Sequence, residues 1–109
     1  MCGIVGQLNL DDTPVSSVIL KRMTDVITHR GPDGEGSWTC ASKKAVLGHT
    51  RLSIMDPERG AQPMHLDHIH VAVNGEFYDF EEIRKELEQD GAKFTTDSDS
   101  EILLHLYRR

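Results

Sequence analysis

The chain has 109 residues, 38% of them hydrophobic and 28% charged, with a formal net charge of −6. That balance describes one folded globular unit and excludes disordered and fibrous classes; at this length a single small core is expected, burying somewhat over ~60% of the extended surface. The charge is spread without a block of Lys and Arg, which argues against nucleic acid or an anionic membrane as partner, and no apolar run approaches the ~20 residues that cross a bilayer.

The N-terminus, MCGIVG, lacks the basic and apolar regions of a secretion signal, so a cytoplasmic location is expected, with Cys2 and Cys40 as free thiols. Residues 2–10 read as a buried first strand, punctuated by Gly3 and Gly6 and anchored by Ile4, Val5 and Leu8. A helix is predicted next, with Thr13 as N-cap, Pro14 in its first turn and Gly31 and Pro32 past its end. Its apolar face is Val15, Val18, Ile19, Met23, Val26 and Ile27. The segment HRGPDGEG is turn chemistry. Strands are predicted from Ser37 to Ala41 and from Ala45 to Met55, joined by a turn at 42–44. On the second strand Val46, Thr50, Leu52 and Ile54 share one face, while His49, Arg51 and Ser53 share the other.

After a loop over 56–67, the stretch HIHVAVNGE reads as a half-buried strand with Ile69, Val71 and Val73 alternating, ending in a turn at Asn74, Gly75 and Glu76. Two helices follow. The first runs from Asp79 to Asp90 with Phe80, Ile83 and Leu87 inward and Gly91 as its stop. The second starts at Ser98 with Ile102, Leu103, Leu106 and Tyr107 inward. Both open like capping boxes, Asp79 with Glu82 and Ser98 with Glu101. The last helix reaches Arg109 without a C-cap, so the natural domain is expected to continue.

With Met1 removed, Cys2 would carry its own base, because an α-amine of pKa near ~8 sits beside the thiol. A nucleophile and a proton acceptor then share one residue, and Gly3 leaves room for a carbonyl to approach. Taken alone, a cysteine at position two is more often an incidental thiol. Asn74 offers a side-chain amide and Gly75 a backbone N–H to a developing oxyanion, although Asn-Gly is by itself commonly just a tight turn. Arg51 has a planar fork suited to a carboxylate, and Asp99 could grip an ammonium; the plain alternatives are a surface ion pair and a helix-dipole acid. Together they describe a pocket for a free amino acid with a reactive side-chain amide, namely glutamine. The histidines of HLDHIH, His65, His68 and His70, straddle a loop and a strand without a fourth ligand and read as surface residues, so no metal is expected. Cys40 reads as a strand thiol without a task.

The strings MCGIVG, HRGPDG, RLSIMD, GAQP, VNGEFYD and SDSE, in this order, resemble the N-terminal glutaminase domain of asparagine synthetases, class II glutamine amidotransferases among the N-terminal-nucleophile hydrolases. The resemblance covers nearly the whole chain. It implies an α+β fold, an α/β/β/α sandwich of antiparallel sheets, of which 1–109 would be the N-terminal portion. It implies Cys2 as nucleophile, Asn74 and Gly75 as oxyanion hole and Arg51 as holder of the glutamine carboxylate. Glu76 and Asp99 would surround the α-amine and side chain, and the backbone around Leu52 and Ile54 would form the pocket wall. L-glutamine is the implied substrate. The implied partner is a following synthetase domain that uses ATP and magnesium to amidate aspartate; no cofactor is expected at the glutaminase site. Two alternatives stay open: a non-catalytic regulatory or assembly module of the same fold, and an amidotransferase serving another acceptor. Sheet edges left open by an incomplete sandwich would favour pairing, including with a second copy.

Overall fold

A computed structural model describes residues 2–52 and 60–109. Strands β1 (Gly3–Leu8), β2 (Gly34–Thr39) and β3 (Ala45–Arg51) form one antiparallel sheet in the order β1-β3-β2, and β4 (Met64–Leu66) and β5 (Ile69–Val71) form a second, two-stranded one. Helix α1 (Ser17–Val26) packs on β1 and β3, while α3 (Ile102–Arg108) packs on β4, β5 and α2 (Phe80–Gln89). The sheets meet where Trp38 of β2 stacks on His70 of β5, with ring centroids 4.1 Å apart. The layers therefore run helix, sheet, sheet, helix, the expected α/β/β/α arrangement. No helix among the described residues is long and apolar enough to cross a membrane.

Alternation along β3 places Val46, Gly48 and Thr50 under α1, where buried Val15, Leu20 and Val46 form a core joined by Val5 and Met23. Arg51 is on the opposite face, as expected of the period-two strand. On β1 the same alternation turns Val5 inward but leaves Ile4 and Leu8 49% and 66% exposed, so neither is an anchor.

Helix α1 starts three residues later than its sequence signals suggest, with its N-cap at Ser16 rather than Thr13. Asp11 accepts hydrogen bonds from both the N–H and the hydroxyl of Thr13, and Val15 N–H donates to Lys43 O at 2.7 Å, tying 11–15 to neighbouring loops. Thr13 is thus spent in an Asx-type turn, and Ser16 is the N-cap. The later start rotates the buried face to Leu20, Met23, Thr24 and Ile27, leaving Val18, Ile19 and Val26 largely in solvent. Past α1 a single 3₁₀ turn spans Thr28–Arg30 and ends at Gly31. A Cβ at Gly31 would run into the backbone of Thr50 and Arg51, so only glycine allows the chain to pass this close to the end of β3.

Strand β2 begins at Gly34, earlier than predicted, because full pairing with β3 outweighs the weak strand preference of its two glycines. The predicted turn at 42–44 is present, with Lys43 at φ 61° and Lys43 N–H bonded to Cys40 O. Strand β4 lies in the segment read as a loop; three residues are too short for alternation to register. Helix α2 has the predicted inward Leu87 and ends at Gly91, whose φ of +100° belongs to the left-handed region. In α3 the buried residues are Ile102, Leu104 and His105, while Leu106 and Tyr107 are 39% and 79% exposed.

Neither expected capping box forms. Asp79 makes no side-chain cap bond, and Ser98 Oγ accepts only from Ser100 N–H. Glu101 turns away to the irregular link between α2 and α3, accepting from Thr95 N–H at 2.9 Å, Thr96 N–H at 2.8 Å and Thr96 Oγ1 at 2.6 Å, with His105 Nε2 at 3.2 Å. Burial alone would raise its pKa; the bonds from Thr96, Thr95 and His105 outweigh it and hold the carboxyl below the ordinary value of 4.5. The folded chain therefore binds fewer protons here than the unfolded chain. The resulting stability is complete above about pH 4.5 and drains away as pH falls through the depressed folded value. Glu101→Gln is expected to cost about 1–3 kcal/mol at pH 7 and to flatten the acid limb. Urea midpoints at pH 7, 5 and 4 check this; parallel curves for the two proteins would contradict it.

Candidate active site

Strand β1 begins opposite the end of β3, with Gly3 paired to Thr50, and this register brings Cys2 beside Leu52. Leu52 N–H donates to Cys2 Sγ at 3.3 Å, and the sulfur lies 3.7 Å from Leu52 O. The Cys2 carbonyl accepts from Arg30 Nε at 3.1 Å. With its amide oriented to suit both neighbours, Asn74 donates to that same carbonyl at 3.0 Å and accepts from Arg30 Nη2 at 3.3 Å. The first described residue is thus fixed by three elements: the end of β3, the 3₁₀ turn after α1, and the turn after β5.

A cavity of about 330 Å³ opens at this point, at the small end of the range for small-molecule sites. Cys2, Arg51, Leu52, Asn74, Gly75, Glu76 and Asp99 are among the residues that line it. Seven of the eight residues singled out from sequence therefore share one wall system, and Ile54 lies outside the described residues. Asp99 is 5% exposed, and its Oδ2 accepts from Phe77 N–H at 2.8 Å. That bond fixes the carboxylate against the cavity at the entry to α3. A Cβ at Gly75 would meet no atom within 4 Å, so packing within the chain does not itself demand glycine there.

Arg30, His49 and Gln62 went unnoticed in the sequence. Arg30 hides in a turn motif, and only the close passage of Gly31 over β3 brings it to Cys2. His49 sits on the polar face of β3, 1% exposed, with Nε2 3.1 Å from Val73 O. Burial foremost, with a smaller contribution from the Arg51 charge, holds its imidazole below the ordinary value of 6.5, against the opposing effect of the Val73 bond. It is neutral at pH 7, and because a carbonyl can only accept, the proton is on Nε2.

The other chemistry-bearing side chains stand elsewhere. Cys40 lies one residue beyond β2, in the turn rather than the strand; its Sγ is 3.2 Å from Ser42 Oγ and accepts from Ala45 N–H at 3.3 Å. The Ser42 bond foremost, then the Ala45 N–H, lower its pKa to about 7. His65 and His70 stack with centroids 5.5 Å apart, extending the Trp38 contact. Among the described residues no group of three or more His, Cys, Asp and Glu side chains converges as a metal site.

The glutamine amidotransferase domain family matches residues 1–109. The chain is similar to the glutamine-hydrolyzing asparagine synthetase 1 of Bacillus subtilis (strain 168), 42% identical over 113 residues, covering 99% of this chain and 18% of that protein. It is 40% identical over 110 residues to the glutamine-hydrolyzing asparagine synthetase of Asparagus officinalis, covering 98% of this chain and 18% of that protein. It is also similar to the amidase chry2 of Gibberella zeae, 45% identical over 92 residues, covering 82% of this chain and 14% of that protein. The chain spans under a fifth of the length of these relatives. The end-to-end match and the helix, sheet, sheet, helix layering agree, and the chain belongs to the glutamine amidotransferase domain family, whose fold is of the N-terminal-nucleophile hydrolase type.

Proposed function

We propose that the cavity hydrolyses L-glutamine to glutamate and ammonia through a thioester on Cys2. The carrying observation is that the Cys2 sulfur, held by Leu52 N–H, shares one small cavity with Asn74, Gly75, Arg51 and Asp99. In this reading the α-amine of Cys2, freed by removal of Met1, takes the thiol proton, and the sulfur attacks the amide carbon. The S–C bond forms as the carbonyl π pair moves onto oxygen, where donors from Asn74 and Gly75 meet it. Collapse breaks the C–N bond, ammonia leaves with the proton from the α-ammonium, and water then cleaves the thioester to glutamate and free thiol. Arg51 holds the substrate carboxylate, while Glu76 and Asp99 surround its ammonium. Backbone at Leu52 walls the site.

In the whole protein the ammonia would pass to a synthetase portion that amidates aspartate, with ATP and magnesium serving that portion; neither is assigned to a residue of this chain. Similarity to the asparagine synthetases supports this acceptor. The likeness to the amidase chry2 supports a second reading, in which the same glutaminase half serves another acceptor. Intact Cys2 weighs against a non-catalytic module. The test is incubation of the full-length protein with L-glutamine: release of glutamate and ammonia in equal amounts is expected, and no release would overturn the proposal.

A further inference from the structure

The turn that presents Asn74 and Gly75 stands outside the strand ladder, since β5 ends at Val71. Both backbone groups of Val73, the residue just before it, are nevertheless taken by side chains from other parts of the fold. Val73 O accepts from His49 Nε2 at 3.1 Å, and Val73 N–H donates to Gln62 Oε1 at 2.6 Å. The Gln62 amide nitrogen in turn reaches Ser100 Oγ at 3.4 Å. His49 thereby ties the turn to β3, two residues before Arg51, and Gln62 ties it to the segment bearing Asp99.

Packing alone gives no reason for a histidine at position 49. Its ring is buried, yet Nδ1 has no hydrogen-bond partner among the described residues, an uncompensated cost that an apolar side chain of similar size would avoid. Among the described residues, the bond it makes is to Val73.

We propose that His49 and Gln62 form a two-sided clamp on Val73 that fixes where Asn74 and Gly75 stand relative to the Cys2 sulfur; this rests on the glutaminase reading. Both line the cavity, but each bonds Val73 rather than the Cys2 sulfur, so both are positioning residues. Their effect belongs on the step in which the oxyanion develops, because donors misplaced by a fraction of an ångström still let glutamine bind but meet the tetrahedral state poorly.

In the full-length protein, His49→Leu and Gln62→Leu are each expected to lower kcat for glutamine hydrolysis ~10–100-fold while KM moves less than ~3-fold. His49→Gln, which restores a neutral N–H donor, recovers most of the loss. The double variant His49→Leu with Gln62→Leu loses about as much as the worse single one, since the two act through one residue. The aldehyde analogue of glutamine reports the geometry directly: the Cys2 S–H adds across its C=O, giving a tetrahedral hemithioacetal. Its affinity is expected to fall by the same factor as kcat, whereas the affinity for glutamate is unchanged. Unaltered kcat in both single variants, or equal losses for aldehyde and glutamate, would overturn the clamp and leave the glutaminase reading standing. Absence of glutamine hydrolysis in the unsubstituted protein overturns that reading instead. If His49→Leu does not fold, Gln62→Leu at its half-buried position decides alone: a kcat equal to that of the unsubstituted protein overturns the clamp.

Discussion

Cys2→Ala in the full-length protein is expected, on the proposed function, to lower glutamine hydrolysis on the order of 10⁴-fold or more, while the proposed synthesis from free ammonia would continue at its ordinary rate. The two expectations follow from one geometry. In the proposed mechanism the sulfur, in the cavity shared by Asn74 and Arg51, is the nucleophile, so its loss would leave a glutamine site with nothing to attack. The structural cost is small by comparison. The change removes one sulfur atom and the bond to Leu52 N–H, about 1 kcal/mol for a neutral hydrogen bond, and leaves the Cys2 carbonyl still held by Arg30 and Asn74. A variant that folds, keeps ammonia-dependent synthesis and lacks glutaminase turnover therefore separates chemistry from folding. Steady-state release of glutamate checks it, and a rate unchanged from that of the unsubstituted protein would contradict it.

Asn74 is expected to show the next largest effect. Its amide nitrogen carries two hydrogens, of which one reaches the Cys2 carbonyl at 3.0 Å, so the second remains for an oxyanion in the cavity. Asn74→Ala removes that donor and should lower kcat ~10²–10³-fold with a smaller change in KM. Asn74→Asp is the sharper comparison. The carboxylate can still accept from Arg30, so the local packing survives, but it cannot donate and it sets a negative charge where negative charge develops. Its kcat should fall below that of Asn74→Ala. If the aspartate variant instead retained more activity than the alanine variant, the side chain would be acting through Arg30 alone and not through the oxyanion.

How far the amino-acid sequence disclosed this molecule depends on the range of the interaction concerned. Alternation along β3 is a local signal, and it separated Thr50, under α1, from His49 and Arg51, which line the cavity. Residue types suggested Cys2, Arg51, Asn74, Gly75 and Asp99 as candidates, each weak alone, and the family resemblance of the spaced motifs joined them and added Glu76. Local rules failed where a distant partner intervened. Thr13 satisfies every rule for an N-cap, yet Asp11 takes its N–H and hydroxyl while Lys43 O anchors Val15, and α1 starts at Ser17. Glu101 is spaced for a capping box with Ser98, but its carboxylate instead accepts from the N–H groups of Thr95 and Thr96. Arg30, His49 and Gln62 each bond a backbone carbonyl or N–H group far along the chain, and no spacing encodes those bonds.

The thiol of Cys40 supplies the control for the most direct test. Its pKa of about 7 makes it reactive toward any simple alkylating agent at neutral pH, independently of the cavity. A glutamine-shaped electrophile such as diazo-oxo-norleucine should behave otherwise, because the cavity carrying Arg51 and Asp99 delivers it to the neighbouring sulfur. Peptide mapping of the full-length protein after such treatment is expected to find Met1 absent and a single adduct on Cys2, suppressed by excess glutamine, with Cys40 unmodified. Retained Met1, no adduct, or an adduct on Cys40 with Cys2 untouched would contradict the assignment of Cys2 as the nucleophile.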